Sequence, residues 1–199
     1  TPWTLPSNLA IAVGAELDYV KARKADGEED QRLYIIAEDR LTAVLGEGAV
    51  VVERMKGADL IGRRYVPLFS DFADRALLPD GEGRCFKIIG ADHVTTQDGT
   101  GLVHMAPDFG EEDFKACRAE NIELLLSVDD EGKFKSNISQ FAGMNIKEAD
   151  SDIIQAIKLI GRLFKRSTIK HSYPFCWRSG TPLIYKAVPA MFVRVESLR

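Results

Sequence analysis

The chain has 199 residues, of which 45% are hydrophobic and 28% are charged, and its formal net charge is −4. This composition is typical of a globular protein with one large domain or two small ones. It contains no apolar run near the ~20 residues that a membrane helix needs, so no membrane-spanning helix is expected. The opening TPWTLPSNLA lacks the basic and apolar regions of a signal peptide, so none is expected there.

The first half of the chain is rich in predicted strands. Residues 17–24 and 32–37 alternate or run apolar on either side of a polar, glycine-containing connection, which predicts a hairpin. Acidic residues begin EDRLTAVLGEG and Gly46 lies near its end, which predicts a short helix. Two further strands are predicted at 9–13 and 49–55.

The second half mixes short strands with two longer helices. An extended piece at 56–69 and a loop at 74–83 precede the strands, which are predicted at 84–90, 93–96, 101–106 and 123–128. Helical spacing of apolar residues predicts helices over 111–121 and 146–162. Many short strands with few helices predict a mixed α/β, β-rich domain with barrel-like closure rather than a doubly wound sheet.

The stretch DGTGLVHMAPDFGEEDF, residues 98–114, is the first candidate site. Gly99, Thr100 and Gly101 are typical of a tight turn, or of a place where a ligand approaches the backbone closely. The stretch lacks the Lys and Ser/Thr of a phosphate-binding loop, which argues against a nucleotide site of that kind. His104 is either a satisfied half-buried histidine or a site residue, and Asp113 is either a stabiliser of the helix's first turn or a ligand-binding carboxylate.

The opening residues form a second candidate. Thr1, Thr4 and Asn8 offer uncharged hydrogen-bonding groups, and Trp3 could stack on a base or fill a core. The prolines on either side of Trp3 predict an extended segment.

Cysteines and charge bear on location and partners. Cys85, Cys117 and Cys176 form no CxxC pair, which predicts free thiols in a reducing cytoplasm and no metal site. The region from Lys158 to the end is net +8, against −12 for residues 1–157. A basic end of this kind fits either a nucleic-acid surface or ordinary solvated faces.

Taken together, TPWTLPSN at 1–8 and DGTGLVHMAPDFGEED at 98–113 resemble the editing domain of isoleucyl-tRNA synthetases. HSYPFCWRSGTPLIYKAVPAMFVRV at 171–195 resembles the segment in which that insertion returns to the synthetic core. Valyl and leucyl enzymes have an Arg-Pro-acid-Thr segment in place of PWTLP, which favours the isoleucyl branch. The resemblance implies an editing-domain core over 1–170, with the barrel-like fold of the valyl, leucyl and isoleucyl enzymes, and a returning segment over 171–199.

The resemblance also implies roles for individual residues. Asp113 matches the aspartate that binds the substrate's α-ammonium group, His104 matches a histidine of the pocket wall that excludes isoleucine, and Thr1 matches the last residue of a threonine run in the site. The implied substrate-binding residues are Trp3, beside the terminal adenosine or under the pocket, together with Thr4, Asn8, Gly99, Thr100 and Gly101.

The implied activity is hydrolysis of valine from mischarged isoleucine tRNA, with valyl-adenylate as a second target, in a pocket that needs no protein nucleophile. The implied partners are the 3′ end of that tRNA and the rest of the synthetase chain. No cofactor is expected in this segment, because ATP and Mg²⁺ would serve a synthetic site outside it. The alternatives are a noncatalytic RNA-binding module and a valyl-type domain that clears threonine.

The chain departs from the family pattern at two positions. The family's threonine run begins before the residue that matches Thr1, so the chain is expected to begin inside its own active site. Ser179 stands where family members often have a second cysteine after CWR, so no metal is expected at Cys176.

Overall fold

The computed structural model describes residues 1–26, 29–72, 83–168 and 172–194. Its strands are β1 (Ala10–Val13), β2 (Asp18–Arg23), β3 (Tyr34–Ala37), β4 (Val50–Lys56), β5 (Lys87–Gly90) and β6 (Leu102–Met105). Its α-helices are α1 (Leu41–Leu45), α2 (Glu111–Ala119) and α3 (Asp150–Leu159). The predicted mixed α/β class is therefore confirmed.

The strands form two three-stranded sheets. One has the order β5-β1-β6, with β1 parallel to β5 and antiparallel to β6, and the other has the antiparallel order β3-β2-β4. The pairing of β2 with β3 confirms the predicted hairpin. The described residues form no closed barrel, so the barrel-like part of the prediction stays a prediction.

Strand β1 lies at the centre of its sheet and determines where the candidate site is built. Ala10 and Ala12 on one face and Val13 on the other are fully buried, as expected of a strand covered on both faces. In the antiparallel pairing with β6, Ile11 lies opposite His104. β6 then ends at Met105, and Pro107 follows two residues later with no N–H to continue the ladder.

The opening segment differs from the prediction. Residues Pro2–Ser7 form a 3-10 helix, so the expectation of an extended conformation was wrong. Proline is tolerated in the first turn because the N–H groups there have no partner within the helix. The Trp3 N–H donates instead to Asp150 Oδ1 of α3 at 3.0 Å, which anchors the 3-10 helix to α3.

Two predicted strands are absent. Residues 93–96 form turns and bends, and residues 123–128 contribute only an isolated bridge between Val128 and Phe134. The Ser127 N–H and hydroxyl both donate to Asp108 Oδ2, at 2.7 and 2.6 Å, so a buried carboxylate takes the place of a neighbouring strand.

The C-terminal segment, residues 172–194, packs on the turn that precedes α2 and on the loop that follows it. The Ala187 N–H donates to Asp108 O at 2.8 Å, and Lys186 Nζ donates to Asp129 O at 2.9 Å. The predicted boundary between residues 170 and 171 lies outside the described residues, as does the predicted loop at 74–83 except for its last residue. None of the helices in the described ranges is long and apolar enough to cross a membrane.

Candidate functional site

A cleft of about 580 Å³ opens where three parts of the chain meet. These parts are the 3-10 helix, the turn between β6 and α2, and α3 with the segment that follows it. Four of the predicted site residues line this cleft: Thr1, Thr4, His104 and Asp113. The structure therefore brings together side chains that are more than a hundred residues apart in the sequence.

Asp113 belongs to the first turn of α2, whose N-cap residue, Gly110, has no side chain to cap the helix. Asp113 Oδ2 accepts the Ala106 N–H at 2.8 Å and so joins the end of β6 to the start of α2. Gly110 makes this possible, because a Cβ at that position would lie 2.8 Å from Asp113 Cγ. The glycine thus lets the carboxylate fold back over the turn.

The Asp113 carboxylate is set up to gain from a cationic ligand. Burial raises its pKa above the usual value for an aspartate, and the hydrogen bond from the Ala106 N–H opposes that rise. A buried carboxylate is stabilised when an ammonium group pairs with it. Because Asp113 lines the cleft, an amine bound there would supply that charge.

His104 is held by side chains from the opening segment. Its Nδ1 lies 2.8 Å from Asn8 Nδ2, and its Nε2 lies 3.2 Å from Thr4 Oγ1. Thr4 Oγ1 in turn donates to Thr1 O at 2.9 Å. Burial, followed by the positive charge of the Thr1 amino group, lowers the pKa of His104 to about 4, so its imidazole is neutral at pH 7.

Trp3 does not line this cleft but lines an adjoining cavity of about 590 Å³, which shares Thr1, Thr4 and Phe109 with it. Its side chain is buried, and its ring packs edge-to-face on Phe109 with the centroids 4.6 Å apart. Lys147 Nζ lies 5.2 Å from the centre of the same ring. These contacts favour support of the cleft over base stacking for Trp3.

The glycine-rich turn lies away from Asp113. The Thr100 carbonyl accepts the Ala37 N–H at 2.8 Å, and the Gly101 carbonyl accepts the Tyr19 hydroxyl at 2.7 Å. Gly101 has φ +76°, and a Cβ there would lie 2.4 Å from the Ala37 Cβ. The turn therefore docks on the sheet of β2 and β3, as the tight-turn interpretation expects.

Gly99 and Thr100 line a neighbouring cleft of about 520 Å³ rather than the one that holds Asp113. The two clefts share several lining residues: Leu5, Ile157, Leu163, Lys165 and Ser167. They are thus adjacent parts of one depression in the surface. Asn8 lies on the far side of His104, in a third cavity.

Sequence analysis missed one side of the cleft. Ile154 and Ile157 of α3 line it, as do Leu163, Lys165, Arg166 and Ser167 of the segment after that helix. The isoleucine spacing of α3 predicted only a core helix, and residues 163–167 carry no motif. Their basic charge was the one sequence signal that pointed to them.

The thiols are structural in character. Burial raises the pKa of Cys85 to about 11 and that of Cys117 to about 12, so both are protonated at neutral pH. A hydrogen bond with Ser179 lowers the pKa of Cys176. Within the described ranges, no group of three or more His, Cys, Asp or Glu side chains is placed to hold a metal ion.

Sequence relatives identify the family. The chain is 51% identical to isoleucine–tRNA ligase of Bdellovibrio bacteriovorus, in an alignment that covers all of this chain and 18% of the relative. It is 42% identical to the cytoplasmic isoleucine–tRNA ligase of Arabidopsis thaliana and 46% identical to isoleucine–tRNA ligase of Tetrahymena thermophila, again over its whole length. The chain belongs to the isoleucine–tRNA ligase family. It spans 18 to 19% of the length of these ligases, and no protein-family model matches it.

Solved structures place this ligase segment among editing domains by fold. The crystal structure of GlLeuRS-CP1 matches 86% of the chain with a TM-score of 0.56 and 10% identity, and the match covers 81% of that structure. The editing domain of the P. knowlesi cytosolic leucyl-tRNA synthetase matches 81% of the chain with a TM-score of 0.51 and 12% identity, over 79% of its own length. At these identities the likeness concerns the fold.

Proposed function

We propose that this segment is the editing site of an isoleucine–tRNA ligase and hydrolyses valine from mischarged isoleucine tRNA. The observation that carries the proposal is the convergence of Asp113, His104, Thr4 and Thr1 on one cleft. Such a site is needed because isoleucine and valine differ by one methylene, and an apolar synthetic pocket gains only about 1–3 kcal/mol of discrimination from it. The isoleucyl enzyme is itself the usual example of this limit. A second, hydrolytic site removes what the first cannot reject.

In this proposal Asp113 pairs with the α-ammonium group of the bound aminoacyl ester. The charge-assisted pair fixes the amino acid and, with it, the ester carbonyl that reacts. Water forms a bond to the carbonyl carbon, the bond from that carbon to the ribose oxygen breaks, and the proton from water passes to the ribose oxygen. Thr1, Thr4 and the neighbouring ribose hydroxyl orient the water, so no protein nucleophile is required.

Selection against isoleucine would come from one wall of the cleft. A volume of about 580 Å³ is within the range that holds a drug-sized ligand, so the whole cleft has room for an aminoacyl-adenosine and cannot itself distinguish two side chains that differ by one methylene. His104 is fixed at both ring nitrogens. A rigid wall of this kind excludes a longer side chain better than a mobile one.

The basic residues beside the cleft are proposed to contact the tRNA backbone. Lys165 and Arg166 are exposed and line the same cleft as Asp113, and Arg40 lines the adjacent one. Phosphate contacts of this kind weaken as the salt concentration rises. Under this proposal, part of the basic C-terminal region of the sequence forms a tRNA-binding surface beside the cleft.

The C-terminal segment is proposed to contact the rest of the synthetase. Its apolar side chains are unusually exposed, among them Trp177 at 86% and Phe192 at 93%. Exposed apolar clusters mark contact surfaces. The relatives are more than five times as long as this chain, so each contains further chain for this segment to contact.

Hydrolysis of aminoacyl-tRNA tests the proposal. The chain, preceded by the upstream threonines that the resemblance implies, is incubated with isoleucine tRNA that carries valine or isoleucine and with valine tRNA that carries threonine. Release of valine alone is expected, and His104→Ala is expected to allow release of isoleucine as well. Binding without any hydrolysis would favour the RNA-binding module, and preferential release of threonine would favour the valyl-type domain.

A further inference from the structure

A series of hydrogen bonds runs behind the cleft wall and begins at a residue that does not touch the cleft. The Tyr65 hydroxyl donates to Asn8 Oδ1. Asn8 Nδ2 contacts His104 Nδ1, and His104 Nε2 contacts Thr4 Oγ1. Tyr65 lines the third cavity, which contains His104 but not Asp113, and packs edge-to-face on Phe86.

The Asn8 amide has one orientation that satisfies its surroundings. Its Nδ2 lies 2.9 Å from the carbonyl oxygen of Ala10, which can only accept a hydrogen bond. Turning the amide over would place two acceptor oxygens against each other. The Tyr65 hydroxyl holds the opposite end by donating to Oδ1. The second hydrogen on Nδ2 therefore points at His104 Nδ1, which must accept it.

Acceptance at Nδ1 decides the protonation of the ring. A neutral imidazole that accepts at Nδ1 carries its hydrogen on Nε2, and here that hydrogen is directed at Thr4 Oγ1. The Thr4 hydroxyl then donates its own hydrogen to Thr1 O. From Tyr65 to Thr1, each group in the series therefore has one assigned hydrogen-bonding role.

We propose that Tyr65 is a positioning residue that acts through Asn8 to hold His104 as the neutral tautomer protonated on Nε2. The purpose of this arrangement rests on the proposed function. The fixed tautomer makes His104 a rigid wall and a hydrogen-bond donor to Thr4 rather than a base in the cleft. The geometry itself is independent of any substrate. Burial lowers the pKa of His104 to about 4, so the ring is neutral at pH 7.

Nitrogen-15 NMR of the 199-residue chain at pH 7, labelled at its three histidines, reads the tautomer directly. Spectra of His104→Gln assign the signals of His104. A single neutral form protonated on Nε2 is expected. A form protonated on Nδ1, or an imidazolium ring, would overturn the proposal without any variant being needed.

Two variants test the route from Tyr65. Tyr65→Phe keeps the packing and removes the hydroxyl, so the single form is expected to give way to a mixture of both tautomers. Tyr34→Phe is the matched control, because its hydroxyl donates to Asp30 in a separate part of the fold and its loss should leave His104 unchanged. Asn8→Asp places a carboxylate oxygen against Nδ1 and is expected to move a proton onto that nitrogen.

Unchanged His104 signals in folded Tyr65→Phe would overturn the role of Tyr65, and a proton that stays off Nδ1 in Asn8→Asp would overturn the role of Asn8. Hydrolysis of valyl-tRNA is measured separately, with kcat expected to fall roughly fivefold in Tyr65→Phe. If the tautomer behaves as stated but the unmodified protein hydrolyses nothing, the proposed function fails and the positioning role stands.

Discussion

The two tryptophans of this chain lie in opposite environments, and the contrast separates two parts of the molecule. Trp3 is 6% exposed, with its backbone anchored to α3 and its ring packed on Phe109, which lines the cleft. Trp177 is 86% exposed in the C-terminal segment. The body of the chain thus completes its own core around the cleft, whereas the C-terminal segment leaves apolar side chains exposed. In sequence, Trp3 stands next to Pro2, and Trp177 lies three residues from both Pro174 and Gly180.

The largest expected effect tests that contrast. Trp3→Ala removes a buried aromatic side chain and is expected to lower the free energy of unfolding by about 3–5 kcal/mol. Trp177→Ala, the same change at an exposed position, is expected to stay within about 0.5 kcal/mol of the parent chain. Urea unfolding of both variants measures the difference. Similar losses in the two variants would show that the C-terminal segment is part of the folded body.

Within the body, the next prediction separates the role of Asp113 in the fold from its role in the site. Asp113→Asn keeps an oxygen that can accept the Ala106 N–H but removes the charge, so the protein should fold while kcat/KM for valyl-tRNA falls on the order of 100-fold. Glu112→Gln, an exposed neighbour on the same helix, is the control for loss of charge alone. Full activity in Asp113→Asn would remove the ammonium pair from the mechanism.

His104 gives the stability of the body a pH dependence. Its folded pKa of about 4 lies below the ordinary value of 6.5, so between these values the unfolded chain binds a proton that the folded chain does not. Stability is therefore expected to fall as pH drops from 6.5 to 4, and to lose no more from this group at lower pH. Urea unfolding of His104→Gln across that range should show a smaller fall, and profiles parallel to those of the parent chain would contradict the assignment.

The smallest expected effect concerns Lys165 and Arg166, the exposed basic residues that line the cleft. Replacing Lys165 and Arg166 with Gln should reduce the steepness of log affinity for tRNA against log salt concentration by about 1.4–1.8, because each of the two phosphate contacts contributes roughly 0.7–0.9. Lys115→Gln is the control, since that exposed lysine pairs with Glu111. Filter binding over a salt series provides the slopes, and an unchanged slope in the double variant would place the tRNA backbone elsewhere.

The body was more predictable than its site. Alternation in β2 and the polar connection to β3 were sufficient for the hairpin, because one buried face determines the pattern. Residues 123–128 looked equally strand-like, but a carboxylate 19 positions earlier satisfies the Ser127 N–H instead of a strand. Proline spacing did not distinguish an extended segment from a 3-10 helix, because both accept a fixed φ near −65°.

The motifs at 1–8 and 98–114 identified residues that line the cleft, but they did not identify the residues that complete the candidate site between them. His104 and Asp113 lie in one distinctive stretch, so the sequence could pair them. Lys165 and Tyr65 are placed by tertiary packing across long stretches of chain, and no local pattern marks either one. The stretch at 98–114 also contains Gly101, whose carbonyl oxygen accepts the Tyr19 hydroxyl and so docks the turn on the sheet of β2 and β3.

The central claim is that a carboxylate in a restricted cleft captures the amine of a valine ester. A crystal structure of the chain with a nonhydrolysable valyl-adenosine analogue tests it most directly. We expect the ammonium nitrogen within hydrogen-bonding distance of the Asp113 carboxylate and the valine side chain against His104. An analogue bound outside the cleft, or an Asp113 side chain turned away from the amine, would contradict the account.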